Sequence, residues 1–225
     1  MGVGPGVLTL ALSVLLAAEP AAAAAAPPPD VCGTVRLLVD GRLTPAEAIA
    51  ALLPVRRDAA PALIEAVAES DHPQAYIDLF EALAELGGHD HEPAVRPHVF
   101  SPDPEVAVAA TRALGGLGGP RAVPTLEHVV RANRSFGQTL AAIEMLQDIG
   151  LPSSFGALAK EAENAGSHPI LRSLAVRALP AIDLLRARKW VKGLKLSQSA
   201  DAFFVAEVDR LALLLGEQGR GGNLR

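Results

Sequence analysis

Apolar positions in this chain recur at helical spacing, most clearly from Asp103 to Asn133 (DPEVAVAATRALGGLGGPRAVPTLEHVVRAN). Val106, Ala109, Ala110, Ala113, Leu114 and Leu117 follow at offsets of 3, 4, 7, 8 and 11 residues. A helix with 3.6 residues per turn puts them all on one face. After a Gly-Gly-Pro turn, Val123, Leu126, Val129 and Val130 mark the same kind of stripe on a second helix. Two helices joined by so short a turn run antiparallel. Neither buries its stripe within the hairpin alone, so the pattern predicts a stack in which each hairpin covers the next.

The punctuation of the chain repeats with the stripes. Proline stands at a first helical position in His72-Pro73, Asp103-Pro104 and His168-Pro169, where its missing N–H costs nothing. Thr44-Pro45-Ala46-Glu47 does the same and adds a capping box. Ser135 and Ser199 fall at the intervening places, so the starts at 72, 103, 135, 168 and 199 lie 31, 32, 33 and 31 residues apart. Leu86-Gly87, Leu117-Gly118, Ile149-Gly150 and Leu215-Gly216 close helical patterns with glycine, the usual left-handed stop. Their spacings are 31, 32 and 66. The last is two periods with a degenerate ending near Ala181-Ile182, where Pro180 replaces the usual stop. Both series give a repeat of about 32 residues.

The predicted elements begin with an irregular N-terminal cap over 30–39. Helices 44–53 and 58–69 form a first pair. Further pairs are 72–87 with 92–99, 103–117 with 121–131, 136–149 with 153–164, and 168–179 with 182–195. A last helix, 201–215, closes the stack. The expected class is all-α, a solenoid of about five antiparallel helix pairs. The string D-P-x-V-x-x-A-x-x-A-L-G-x-L-G followed by A-V-P-x-L, over residues 103–133, resembles the HEAT-like repeat, in particular the short form of the phycobilisome lyases. The resemblance extends over 71–100 and 135–165 and more loosely over 168–215. It implies a superhelical stack and says little about activity.

Composition agrees with this reading. Half of the 225 residues are hydrophobic but only 4% are aromatic, so Ala, Leu and Val must build the core, which suits closely packed helices. The net charge of −5 argues against a dedicated nucleic-acid binder. The single cysteine, Cys32, excludes an intramolecular disulfide and a cysteine zinc cage; it is expected to pack as a small hydrophobe near the first helix.

Val7 to Ala18 (VLTLALSVLLAA) is apolar over 12 residues, short of the roughly 20 that span a bilayer and suited to the core of a secretory signal. Ala-x-Ala options follow at Ala21 to Ala26, although the leading MGVGPG carries no Lys or Arg. Pro29, Asp30 and Val31 ahead of Cys32 do not form a lipid-attachment motif. The expected organisation is therefore a signal peptide over 1–26, a proline-rich spacer and cap over 27–40, a repeat domain over 41–216 and a disordered, Gly-rich tail over 217–225. The corresponding location is the periplasm or the exterior. The missing basic residues leave open an uncleaved anchor, the one route by which this chain would be held in a membrane.

Two clusters carry candidate chemistry. His89, Asp90, His91 and Glu92 are consecutive and His98 follows; imidazoles and carboxylates suit a divalent metal. The alternative is a polar loop in which Asp90 caps a helix starting near Glu92. HEAT-type di-iron hydroxylases, which this fold resembles, hold metal through several His-Glu dipeptides. Here His91-Glu92 stands alone, and the equivalent place one repeat later, near Val123, offers no ligand. A metal-dependent or lyase-like enzyme on His89, His91, Glu92 and His98 is thus the secondary reading. His72 and His168 are expected at helix caps and His128 in solvent. No phosphate loop or nucleophile elbow is present and no cofactor is implied.

The second cluster is electrostatic. Residues 30–100 carry 5 Lys/Arg and 12 Asp/Glu, whereas residues 166–225 carry 10 and 5. The densest basic stretch holds Arg186, Arg188, Lys189, Lys192 and Lys195 around the only tryptophan, Trp190, with Leu185, Trp190 and Leu194 expected near the apolar face. Together these make a candidate surface for a protein partner or an anionic surface, with Trp190 as aromatic anchor. The leading expectation is an exported, non-enzymatic scaffold or adaptor for protein–protein interaction.

Overall fold

The computed structural model describes residues 30–194 and 202–216. The apolar run, the proline spacer, Lys195, Ser199 and the C-terminal tail lie outside the described residues. Helices α1 to α12 span Val31–Val39, Pro45–Leu52, Arg56–Glu69, Pro73–Leu86, Glu92–Val95, Pro104–Gly118, Val123–Ala132, Phe136–Ile149, Phe155–Glu163, Pro169–Ile182, Leu184–Gly193 and Ala202–Leu214. No strand occurs among the described residues.

The caps explain where most helices begin. Thr44 and Glu47 form the expected capping box, with the Glu47 amide donating to Thr44 Oγ1 at 3.3 Å and the Thr44 amide to Glu47 Oε2 at 2.9 Å. The Asp103 carboxylate accepts from the Glu105 and Val106 amides at 2.9 and 3.2 Å. Ser135 accepts from Gln138 at 3.3 Å. His168 caps α10 through Nδ1, accepting from Ile170 at 3.2 Å, while His72 stands at its helix start without such a bond.

Several expectations need correction. Residues 31–39 are a helix rather than an irregular cap: the Asp30 carboxylate accepts from the Gly33 amide at 3.0 Å and starts α1. This helix buries Val35 and Leu38, and Cys32 is exposed rather than packed. The second helix of the next unit, expected over 92–99, is reduced to α5 between two 3₁₀ turns, His89–His91 and Arg96–Phe100. Pro97 follows Pro93 by four residues, so the ring meets the carbonyl it would otherwise bond, and a continuous helix is broken there. Asp90 does not cap α5, whose first residue is preceded by His91 without a side-chain cap. Helix α10 runs through Pro180 to Ile182, three residues past the expected end. Burial of Leu179 and Ile182 holds the last turn in place against the lost bond.

The glycine stops also differ in detail. Gly150 and Gly216 are left-handed, at φ of 66° and 71°. The left-handed residue after α6 is Gly119 rather than Gly118, and Gly87 is extended, at φ of −77°. At Gly87 the need is space: a Cβ there would lie 2.4 Å from Leu117 Cδ2. The open carbonyls of Leu86 and Gly87 are taken by Arg56 of α3, at 3.1 and 2.8 Å.

Alternate helices form two layers. In one, α2 packs on α4, α4 on α6, α6 on α8, α8 on α10 and α10 on α12; in the other, α1 packs on α3 and α7 on α9. Between the layers α3 packs on α4, α7 on α8, α9 on α10 and the Arg96–Phe100 turn on α6. The core is a continuous seam between the layers, from Leu38 through Leu83, Leu114, Leu146 and Leu179 to Val208. Polar side chains tie successive units across it. Gln138 donates to the Val99 carbonyl at 2.6 Å and to Thr111 Oγ1 at 3.3 Å. Asn133 donates to Ser167 Oγ at 3.1 Å, and Arg177 grips Glu207 with two bonds of 2.8 and 3.2 Å.

Candidate functional site

The basic stretch is built into the fold more than its charge pattern suggests. Arg186 Nη1 donates to the Pro152 carbonyl at 2.8 Å, and its guanidinium lies 4.4 Å from the Phe155 ring centre. Arg188 Nε donates to the Leu215 carbonyl at 3.2 Å, at the end of α12. Arg188 thus meets a helix C-terminus, where a positive group is stabilised by the dipole and by open carbonyls. Trp190 is half-buried, and its indole N–H meets Glu163 Oε1 at 2.5 Å. Lys189 and Lys192 are exposed. The apolar face of α11 is Ala187 and Val191, and Leu185, expected near that face, is 71% exposed. The register of α11 is thus turned so that Arg186 and Arg188 reach the ends of neighbouring helices.

The histidine cluster is dispersed in the same way. His89 Nδ1 pairs with the Leu117 carbonyl at the end of α6. His91 Nδ1 accepts from the Gly88 amide at 2.9 Å. Glu92 is buried and held by Arg96, with Arg96 Nε 2.7 Å from its carboxylate. His98 sits between Tyr76 and Phe80, with ring centres 4.9 and 5.2 Å away, and this burial pushes its pKa below the usual histidine value. The four side chains each serve a different neighbour. No group of three or more metal-ligating side chains is placed to hold an ion among the described residues. His128 is exposed and touches Phe100 edge-on at 5.8 Å.

A groove of about 730 Å³ crosses the outer face of α4, α6 and α8. Its floor is apolar and low. Ile77 and Ala84 come from α4, Ala109 and Gly116 from α6, Met145 and Ile149 from α8. The floor is low because two backbones meet closely: a Cβ on Gly115 would lie 2.4 Å from Met145 Cγ and 2.6 Å from its Cβ. Carboxylates stand on the rim, Glu81 and Glu85 on α4 and Asp148 on α8. Among the described residues that line it there is one cation, Arg112, which lies 3.8 Å from Glu144. Shallow apolar floors with charged rims bind extended chain segments, the floor contributing burial and the rim selectivity.

Residues 60–147 match the family described as HEAT repeats. This stretch is built of HEAT repeats. All the groove's lining residues except Asp148 and Ile149 fall inside the match. No curated protein matches the chain. Among solved structures, the complex of CpcE and CpcF of phycocyanin lyase from Nostoc sp. PCC7120 is similar with a TM-score of 0.40 and 24% identity. The similarity covers 83% of this chain and 66% of that one, so the chain spans just under two thirds of that neighbour's length.

The groove was not anticipated from the sequence, although a signal for it exists. Ala84, Gly116 and Asp148 stand 32 residues apart, as do Glu81, Ala113 and Met145. Aligning the chain at its own HEAT-repeat period brings these positions to one place on successive helices.

Proposed function

We propose that this HEAT-repeat protein is a non-enzymatic scaffold that holds an extended segment of a protein partner in the groove across α4, α6 and α8. The observation that carries this reading is the groove itself, an apolar floor crossing three successive repeats beneath a carboxylate rim. The basic residues of α11 are the weaker candidate, since Arg186, Arg188 and Trp190 each have a partner within the chain.

A photo-reactive side chain at position 116 tests the reading. This position is exposed, and a Cβ there meets nothing nearer than 3.5 Å. Cross-linking in the native source should give a partner adduct from 116 and none from 128, on the other layer. An adduct from 128 alone would place the docking surface elsewhere. We infer too that the chain is exported, on the strength of the apolar run Val7 to Ala18 and the alanines after it. An intact mass lacking about 20–26 residues is the expected result; a full-length mass from the exterior fraction would instead support a retained anchor.

A further inference from the structure

We propose that the segment taken by the groove is cationic, with Lys or Arg flanking an aliphatic centre; this rests on the groove being the docking site. Glu81, Glu85 and Asp148 stand on its rim, and Arg112, the one cation among the described lining residues, already faces Glu144 at 3.8 Å. A segment bringing Lys or Arg to that rim meets carboxylates on both banks, while an acidic segment meets like charge at close range. The floor offers Ile77, Ala84, Ala109 and Met145, and Gly116 opens its centre down to the backbone. A Leu- or Met-sized side chain meets apolar partners there. Neighbouring helices in a layer lie about 8–10 Å apart, so the path from α4 to α8 is about 16–20 Å, the length of roughly five or six extended residues. A second copy of this chain is the lesser candidate. Its basic end would enter another copy's groove head to tail, a contact that builds rings or filaments rather than a two-fold dimer.

The test uses a fluorescent peptide, Lys-Lys-Leu-Lys-Lys-Gly, with counterparts carrying Gln or Glu at every Lys, read by anisotropy against the full chain. The Lys peptide should bind, the Glu peptide should not, and raising the salt from about 0.05 M to about 0.5 M should weaken binding several-fold. The triple variant E81Q, E85Q, D148N should weaken it about tenfold, the summed effect of three exposed ion pairs. The control triple E65Q, E69Q, D71N, away from the groove, should leave it within about twofold. Equal binding of the Lys and Gln peptides, both lost on Gly116→Arg, would overturn the charge assignment and leave the groove as docking site. Binding of the Lys peptide unchanged by Gly116→Arg would overturn both. Concentration-dependent self-association in sedimentation, abolished by the groove triple, would replace the cationic partner with a second copy.

Discussion

Adjacent glycines in α6 provide a sharp probe of how closely the first layer is packed. Gly115 is buried and faces Met145, where an added Cβ would lie 2.4 Å from Cγ and 2.6 Å from Cβ. The Met145 Cβ is tied to the backbone of α8, so it cannot swing aside and the two helices must part. Gly116 is exposed, and its Cβ would meet Ala84 at 3.5 Å or more. Replacing an interior helical glycine by alanine gains about 0.8–1 kcal/mol from propensity. That gain is common to both sites. Overpacking costs typically 1–3 kcal/mol and falls only on Gly115. Gly116→Ala should therefore stabilise by about 1 kcal/mol, whereas Gly115→Ala should range from neutral to about 2 kcal/mol destabilised once the two effects are combined. The difference between the variants, about 1–3 kcal/mol, isolates the packing effect because propensity cancels. Urea denaturation followed by far-UV circular dichroism measures it. Equal stabilisation of both variants would show that α6 and α8 are not in contact at Gly115, and the low floor of the groove would lose its explanation.

Other outcomes follow from the same contacts. The Arg177 bond to Glu207, joined by the nearby charges of Arg177 and Arg210, holds the Glu207 carboxyl below its ordinary value of 4.5. Its stabilisation is therefore complete above about pH 4.5 and is lost as pH falls towards the lower folded value. Glu207→Gln should cost roughly 1–2 kcal/mol at pH 7 and flatten that acid slope, and an undiminished slope in urea titrations would dissociate it from this pair. His98 is lowered by burial between Tyr76 and Phe80. The unfolded chain then takes a proton near pH 6.5 that the folded chain refuses, so stability should decline below about pH 6.5. His98→Gln should remove that part of the decline between pH 7 and 5; a variant as pH-dependent as the parent would contradict the assignment. Leu114→Ala, at a fully buried seam position, should cost about 2–5 kcal/mol by chemical denaturation, and a cost under about 1 kcal/mol would argue against a tight seam.

Sequence and structure part company where a contact depends on what lies across the stack. The proline starts, the serine and aspartate caps and the apolar stripes act within one helix turn, and so α6, α7 and α8 stand close to where the pattern puts them. Residues 92–99 do not form one helix for a local reason, the ring of Pro97 against the carbonyl four residues before it. The α11 cluster is different. Charge counting finds Arg186 and Arg188, but only the packed structure shows the Pro152 and Leu215 carbonyls that take them. The histidines misled for a related reason: neighbours in sequence, they turn to Leu117, Gly88 and the Tyr76–Phe80 pair. The groove lies between these cases. Its residues are 32 apart along the chain and unremarkable singly, and they become a surface only when three repeats are stacked.

Methyl NMR of the full chain titrated with the cationic peptide addresses the docking claim most directly. The groove reading predicts that the methyl signals of Ile77, Met145 and Ile149 shift together and saturate at one peptide per chain, with Leu184 and Leu185 of α11 unmoved. Shifts centred on Leu184 and Leu185, with the three groove methyls unchanged, would contradict it.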